Sequence, residues 1–219
     1  TRLIHRVFET LDPTKLSGSI IAIIGANSTG LLANSRYFQL QHDSGGGVDF
    51  NRIWPGKAEG NAAEQQVHRI FNGIWSGNAD AVIDLHTQST GTAYPLYIYA
   101  DYRVAGVKAL AELFPADIIK IDPGEPGAAE QAFNDAGMAS ITLEIGAAKL
   151  YQPELIDRAL VGVENVLKAY GMLPGKPGRE AGREASRHHD QEGIQPQRET
   201  GRHDRDADDA VDERVAADR

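Results

Sequence analysis

Five short apolar runs, separated by stretches of helical periodicity, constrain this chain more than any other feature of its sequence. They are residues 19–25 (SIIAIIG), 81–86 (AVIDLH), 96–99 (LYIY), 118–121 (IIKI) and 140–145 (SITLEI). Runs this short and this apolar are the signature of strands buried on both faces of a sheet. Between them, Val67, Ile70, Phe71, Ile74 and Trp75 recur at three- and four-residue spacing and predict a helix over 62–76. Shorter helices are predicted over 103–113 and 128–136. A long one is predicted over 153–170, with Leu155, Ala159, Leu160, Val163, Val166 and Leu167 on one face and Gly171 as its stop. Alternating strands and helices predict an α/β fold, a three-layer domain with a mostly parallel or mixed sheet flanked by helices.

This texture ends at Pro174. Residues 174–219 contain no aromatic side chain, and their only large aliphatics are Ile194, Val211 and Val215. Of these 46 residues, 21 are charged. Such a segment buries too little apolar surface to offset its ordering entropy, so a disordered tail is expected there. The chain therefore divides into a domain over 1–173 and a tail over 174–219. His188, His189 and His203 lie among the tail's charges, where solvation is the ordinary fate of histidine and a metal-binding tract the exception.

Composition removes several function classes. With no cysteine in 219 residues, a disulfide framework, a thiolate metal site and a cysteine nucleophile are excluded. A net charge of −9 argues against a general nucleic-acid-binding surface. No run of 18 apolar residues is present to span a membrane. No signal segment is visible at Thr1, and a cytoplasmic location is the expectation.

In open α/β sheets, sites collect at the carboxyl ends of strands. Asp84 and His86 stand two apart on one predicted strand and share a face. An imidazole there suits a metal and the carboxylate could hold its ring, but a hydrogen-bonded structural histidine is the more ordinary reading. Glu144 lies inside an apolar strand, where a carboxylate is costly unless paired, metal-bound or catalytic. Asp49-Phe50-Asn51-Arg52 follows three glycines and precedes Trp54-Pro55-Gly56. Its Asn and Arg can grip a carboxylate together, and an ordinary capped loop with a surface ion pair is the other reading.

These segments occur in a telling order: Ala26-Asn27-Ser28-Thr29-Gly30, Ser35-Arg36-Tyr37, Asp49 to Gly56, Asp84-Leu85-His86-Thr87, and Thr142-Leu143-Glu144-Ile145-Gly146. Over residues 1–173 the chain resembles the succinylglutamate desuccinylase/aspartoacylase family, within the wider zinc-carboxypeptidase-like group. The resemblance implies a zinc-dependent amide hydrolase whose substrate is a small carboxylate-bearing amide such as an N-acyl amino acid. It implies His86 as a zinc ligand, Glu144 as the acid/base that activates water, and Arg36 as the group facing the developing oxyanion. Asn51 and Arg52 match the pair that binds the substrate carboxylate. Asp49 matches a carboxylate behind a zinc-binding histidine, with Asp84 behind His86.

The chain also departs from the family. The His-x-x-Glu zinc motif and the strand before it have no counterpart near Thr1, so the domain is expected to lack its N-terminal strand or strands. The nearest pair, His5 and Glu9, is spaced four apart and reads as an exposed helical pair. One histidine falls short of the three or so protein ligands that a catalytic zinc takes, so little zinc-dependent activity is expected of this chain. Three readings follow: part of a zinc-dependent deacylase, a non-catalytic carboxylate-binding remnant, or a metallocarboxypeptidase. Residues 87–94 are the candidate lining of a substrate pocket.

Overall fold

The computed structural model describes residues 1–39, 47–178 and the backbone of 186–188. In chain order the elements are α1 (Arg2–Thr10), α2 (Ser28–Leu32), β1 (Tyr37–Phe38), β2 (Val48–Asp49), α3 (Ala62–Ile70), β3 (Ala81–His86), β4 (Leu96–Ala100), α4 (Val107–Ala111), β5 (Ile118–Ile121), α5 (Ala129–Asp135), β6 (Ala139–Ile145), α6 (Pro153–Ala169) and β7 (Ser186–His188). β1 and β2 form a small antiparallel pair. The other strands form one mixed sheet in the order β3-β6-β4-β5-β7. β3 runs parallel to β6, β4 antiparallel to β6, and β5 parallel to β4.

Helices cover the sheet from both sides, which makes the domain a three-layer α/β structure. On one face α1, α4 and α6 pack Leu3, Val7, Leu110, Ile156, Ala159 and Val166 against Leu96, Ile98, Ile141 and Leu143. On the other, Phe71 beyond α3 and Ala129, Ala132 and Phe133 of α5 pack against Val82. β6 is buried along its entire length because both of its edges and both of its faces are occupied. Local signals set the helix ends. Asn61 and Glu64 form a reciprocal capping box at the start of α3, and Pro153 opens α6.

Three expectations change. Residues 19–25 form no strand, although their sequence is as apolar as that of β6. The segment is fixed near its ends, where Ser17 N–H donates to the Met172 carbonyl (2.8 Å) and Gln66 Nε2 donates to the Ala26 carbonyl (2.7 Å). No described strand pairs with it, and Ile21 and Ile24 stay 41% and 47% exposed. Strand formation needs a partner ladder as well as apolar residues. The helix expected over 103–113 contracts to α4, because Gly106 turns left-handed (φ +84°) just before it. Similarly, the helix expected over 62–76 keeps its α geometry only to Ile70 and then widens into one π-helical turn over Phe71–Trp75.

The boundary at Pro174 is softer than the composition break suggests. Asn165 of α6 exchanges hydrogen bonds with Gly178, accepting from its N–H (2.7 Å) and donating to its carbonyl (3.2 Å). Ser186–His188 pairs in parallel with Ile118–Lys120. The rest of the expected tail, with His189 and His203, lies outside the described residues.

The contrast between two isoleucines tests this layout. Ile141→Ala, at a fully buried position of β6, should cost about 2–5 kcal/mol in urea denaturation. Ile21→Ala, in the unpaired run, should cost less than about 0.5 kcal/mol.

Candidate active site

Strand register assembles the site. Asp84 and His86 lie on the α5 face of β3, and their partners across the ladder are Thr142 and Glu144 of β6. His86 Nε2 lies 2.8 Å from Asp84 Oδ2, and both side chains are about three-quarters buried. The Asp84 carboxylate pushes the His86 imidazole up to about 9 against the opposing pull of burial. Glu144 is only 7% exposed, and its Oε2 has no hydrogen-bond partner among the described residues. Burial pushes its carboxyl upward, with Asp84 adding to the effect and His86 and Arg36 opposing it.

Arg36 is near enough to act on both His86 and Glu144, and the chain fixes it from two sides. Asn27 caps α2 through Gly30 N–H and donates its amide to the Arg36 carbonyl (3.0 Å). Asp49 accepts from Arg36 Nε (3.0 Å), and its other oxygen accepts from Asn51 N–H (3.0 Å), capping the 3-10 turn Phe50–Arg52. Asp49 thus holds an arginine here.

Asn51 Oδ1 accepts from Ala129 N–H (2.8 Å) and so ties that turn to the start of α5. Arg52 donates to the Asn51 carbonyl (2.7 Å) and pairs with Glu125 (2.7 Å), a half-exposed contact that a stronger carboxylate ligand can displace at small cost. Gly127 lies against this turn with φ +82°, and a β-carbon there would collide with the Arg52 backbone. The structure therefore brings Arg36, Asp49, Asp84, His86 and Glu144 together, with Asn51 and Arg52 on the adjoining turn. Residues 87–94 leave β3 as a loop tied to the end of β6 by Gln88 N–H donating to the Gly146 carbonyl (2.9 Å).

Some groups escaped the sequence reading. Glu130 of α5 is 4% exposed, accepts from Thr142 Oγ1 (2.9 Å), and has no partner for Oε1 among the described residues. Burial pushes it up to about 8, and the negative charges of Asp122, Asp84 and Asp101 add to the rise. A glutamate in a first helical turn is so ordinary that no sequence signal marked it. Tyr97 and Tyr99 share the sheet face of Glu144, and the alternation in LYIYA was the signal for them.

A family model, the succinylglutamate desuccinylase/aspartoacylase catalytic domain, matches residues 1–170. The chain belongs to this family. Among solved structures it is similar to a succinylglutamate desuccinylase/aspartoacylase from Rhodobacter sphaeroides (22% identity, TM-score 0.71, covering 86% of this chain and 56% of that one). It is also similar to the product-bound ectoine utilization protein EutE (DoeB) from Ruegeria pomeroyi (20%, 0.70, 81% and 55%). A third is an aspartoacylase family protein from Mesorhizobium loti (21%, 0.62, 81% and 55%). These likenesses establish the fold, and the chain spans a little over half the length of each. No curated protein matches it. No helix among the described residues is long and apolar enough to cross a membrane.

Family membership raises the question of zinc. Among the described residues no group of three His, Asp or Glu side chains is placed to hold a metal. His5 and Glu9 are exposed on α1. One imidazole already engaged by Asp84, beside one unpartnered carboxylate oxygen, falls short of a catalytic zinc's ligand set.

Two titrations test these electrostatics. By NMR the His86 ring in the metal-free chain should titrate near 9, and Asp84→Asn should return it toward 6.5. Glu130 has a folded pKa raised above its ordinary 4.5, so its contribution to stability is whole below about 4.5 and is lost as pH rises toward about 8. Glu130→Gln should therefore gain more than about 1 kcal/mol on the wild type between pH 5 and pH 8 in urea denaturation.

Proposed function

We propose that this chain carries the acid/base and carboxylate-binding part of a deacylase that hydrolyses an N-acyl amino acid or a similar carboxylate-bearing amide. The observation that carries the reading is Glu144. It is a nearly buried carboxylate with one unpartnered oxygen, at a strand end beside an imidazole and an arginine. Its raised pKa moves it toward neutrality, where a carboxylate accepts a proton from water and returns it to a departing amine most efficiently. The Arg36 guanidinium, braced by Asp49, faces the charge that develops on the amide oxygen. In the metal-free chain His86 pairs with Asp84 and stands directly across the strand ladder from Glu144. Arg52 offers its fork to the substrate carboxylate once Glu125 is displaced, and Asn51 holds the turn in place. Zinc, as the family implies, would polarise the amide and acidify water in an assembled site, and the described residues alone do not complete its ligand set.

That shortfall favours a second reading, in which the chain binds such carboxylates without hydrolysing them. The two separate on one assay set. In the deacylase reading, the chain extended with a His-x-x-Glu segment and supplied with zinc releases amino acid from N-acyl amino acids, and Glu144→Gln lowers the rate at least about 100-fold. Carboxylate binding without turnover favours the second reading. In either, Arg52→Ala should weaken N-acyl amino acids about tenfold or more and leave their carboxamide analogues unchanged, as read by calorimetry.

A further inference from the structure

Among the described residues, the helices with the most extensive contacts to β4 are α4 and α6, and both lie on the face opposite α5, over Leu96, Ile98 and Ala100. The other face of β4 carries Tyr97 and Tyr99, both only partly buried, and Tyr94 leads into it. The Tyr94 and Tyr97 ring centres are 5.4 Å apart at 42°, and those of Tyr97 and Tyr99 are 4.9 Å apart at 61°. At the far end Lys120 of β5 stands 5.3 Å from the Tyr99 ring centre and pairs with Asp122.

This ladder adjoins the site. Tyr97 lies directly across the ladder from Glu144, which lies directly across from His86, so the three form one row. Cross-strand neighbours of this kind stand about 5 Å apart at Cβ. The next row runs Asp84, Thr142, Tyr99, Lys120. Lys120 occupies the Tyr99 end, leaving the Tyr94–Tyr97 end on the row of Glu144. Tyrosines supply rigid contact area at low entropic cost, and aromatic rings attract other rings edge-on or offset. Tyr94 remains 39% exposed, so the ladder is accessible.

We propose that Tyr94, Tyr97 and Tyr99 form an aromatic-binding subsite beside Glu144, selecting carboxylate-bearing amides with an aromatic ring close to the amide bond. The proposal rests on the reading of Arg52 as the carboxylate grip and names the substrate class for that site. The ring can belong to the acyl group, as in N-benzoylglycine, or to the amino acid, as in N-acetylphenylalanine, and the test separates these sources.

Binding of N-benzoylglycine, N-acetylphenylalanine and N-acetylglycine to the 219-residue chain is measured by calorimetry and by NMR of the tyrosine rings. At least one aromatic probe should bind ten or more times tighter than N-acetylglycine, and whichever does so identifies the ring's source. Tyr97→Leu, which keeps the strand's bulk, should abolish that advantage and leave N-acetylglycine unchanged, whereas Tyr97→Phe retains it. Arg52→Ala should weaken all three probes alike. Equal binding of the three probes, or an advantage that survives Tyr97→Leu, overturns the subsite and leaves the carboxylate grip standing. If none of the three binds, the grip fails, and benzamide then probes the ladder alone. Tyrosine-ring shifts that vanish in Tyr97→Leu support the subsite, and their absence in the wild type overturns it.

Discussion

Everything around the site depends on a carboxylate buried in the most enclosed strand of the sheet. β6 is hidden along all seven residues, and Glu144 is its sixth. Placing a charged group there is costly unless its surroundings compensate, and strand register provides the compensation. Parallel pairing with β3 puts His86 opposite Glu144, and antiparallel pairing with β4 puts Tyr97 on its other side. A one-residue slip of either ladder would turn these side chains to the opposite face, so the apolar packing that fixes register also fixes the chemistry.

The helix beneath this row is anchored by polar contacts as well as packing. Asn134 of α5 exchanges hydrogen bonds with the Ser140 backbone (2.8 and 3.2 Å), and Glu130 receives the Thr142 hydroxyl. At its other end, Asn51 caps the first N–H of α5 from 78 residues away. The turn that carries Arg52 is thus locked to the helix that supports the Glu144 strand. The groups proposed for carboxylate recognition and proton transfer are therefore tied together by hydrogen bonds, as precise positioning requires.

Much of this was legible beforehand. Four of the five apolar runs are strands, and Asp84, His86 and Glu144 converge as a shared face and neighbouring strand ends suggest. Residues 19–25 misled because apolar content describes a strand's faces and says nothing of its edges. Without a pairing partner among the described residues the run stays half-exposed. β3 shows the same point from the other side. Its sequence reads as interior, yet it has only β6 as a sheet neighbour among the described residues, and five of its six residues are only partly buried. Glu130 was invisible for a related reason, since its meaning comes from what lies above its helix.

The sequence by itself determined the layered α/β class, the family, and the residue types available for proton transfer and carboxylate binding, because these follow from local periodicity and ordered motifs. Only the tertiary structure decided what each group touches. It gave Asp49 to Arg36, Arg52 to Glu125, and Glu144 a neighbour on each side. Those assignments depend on distances between residues far apart in the chain, and on the low dielectric surrounding Glu144, which no local pattern encodes.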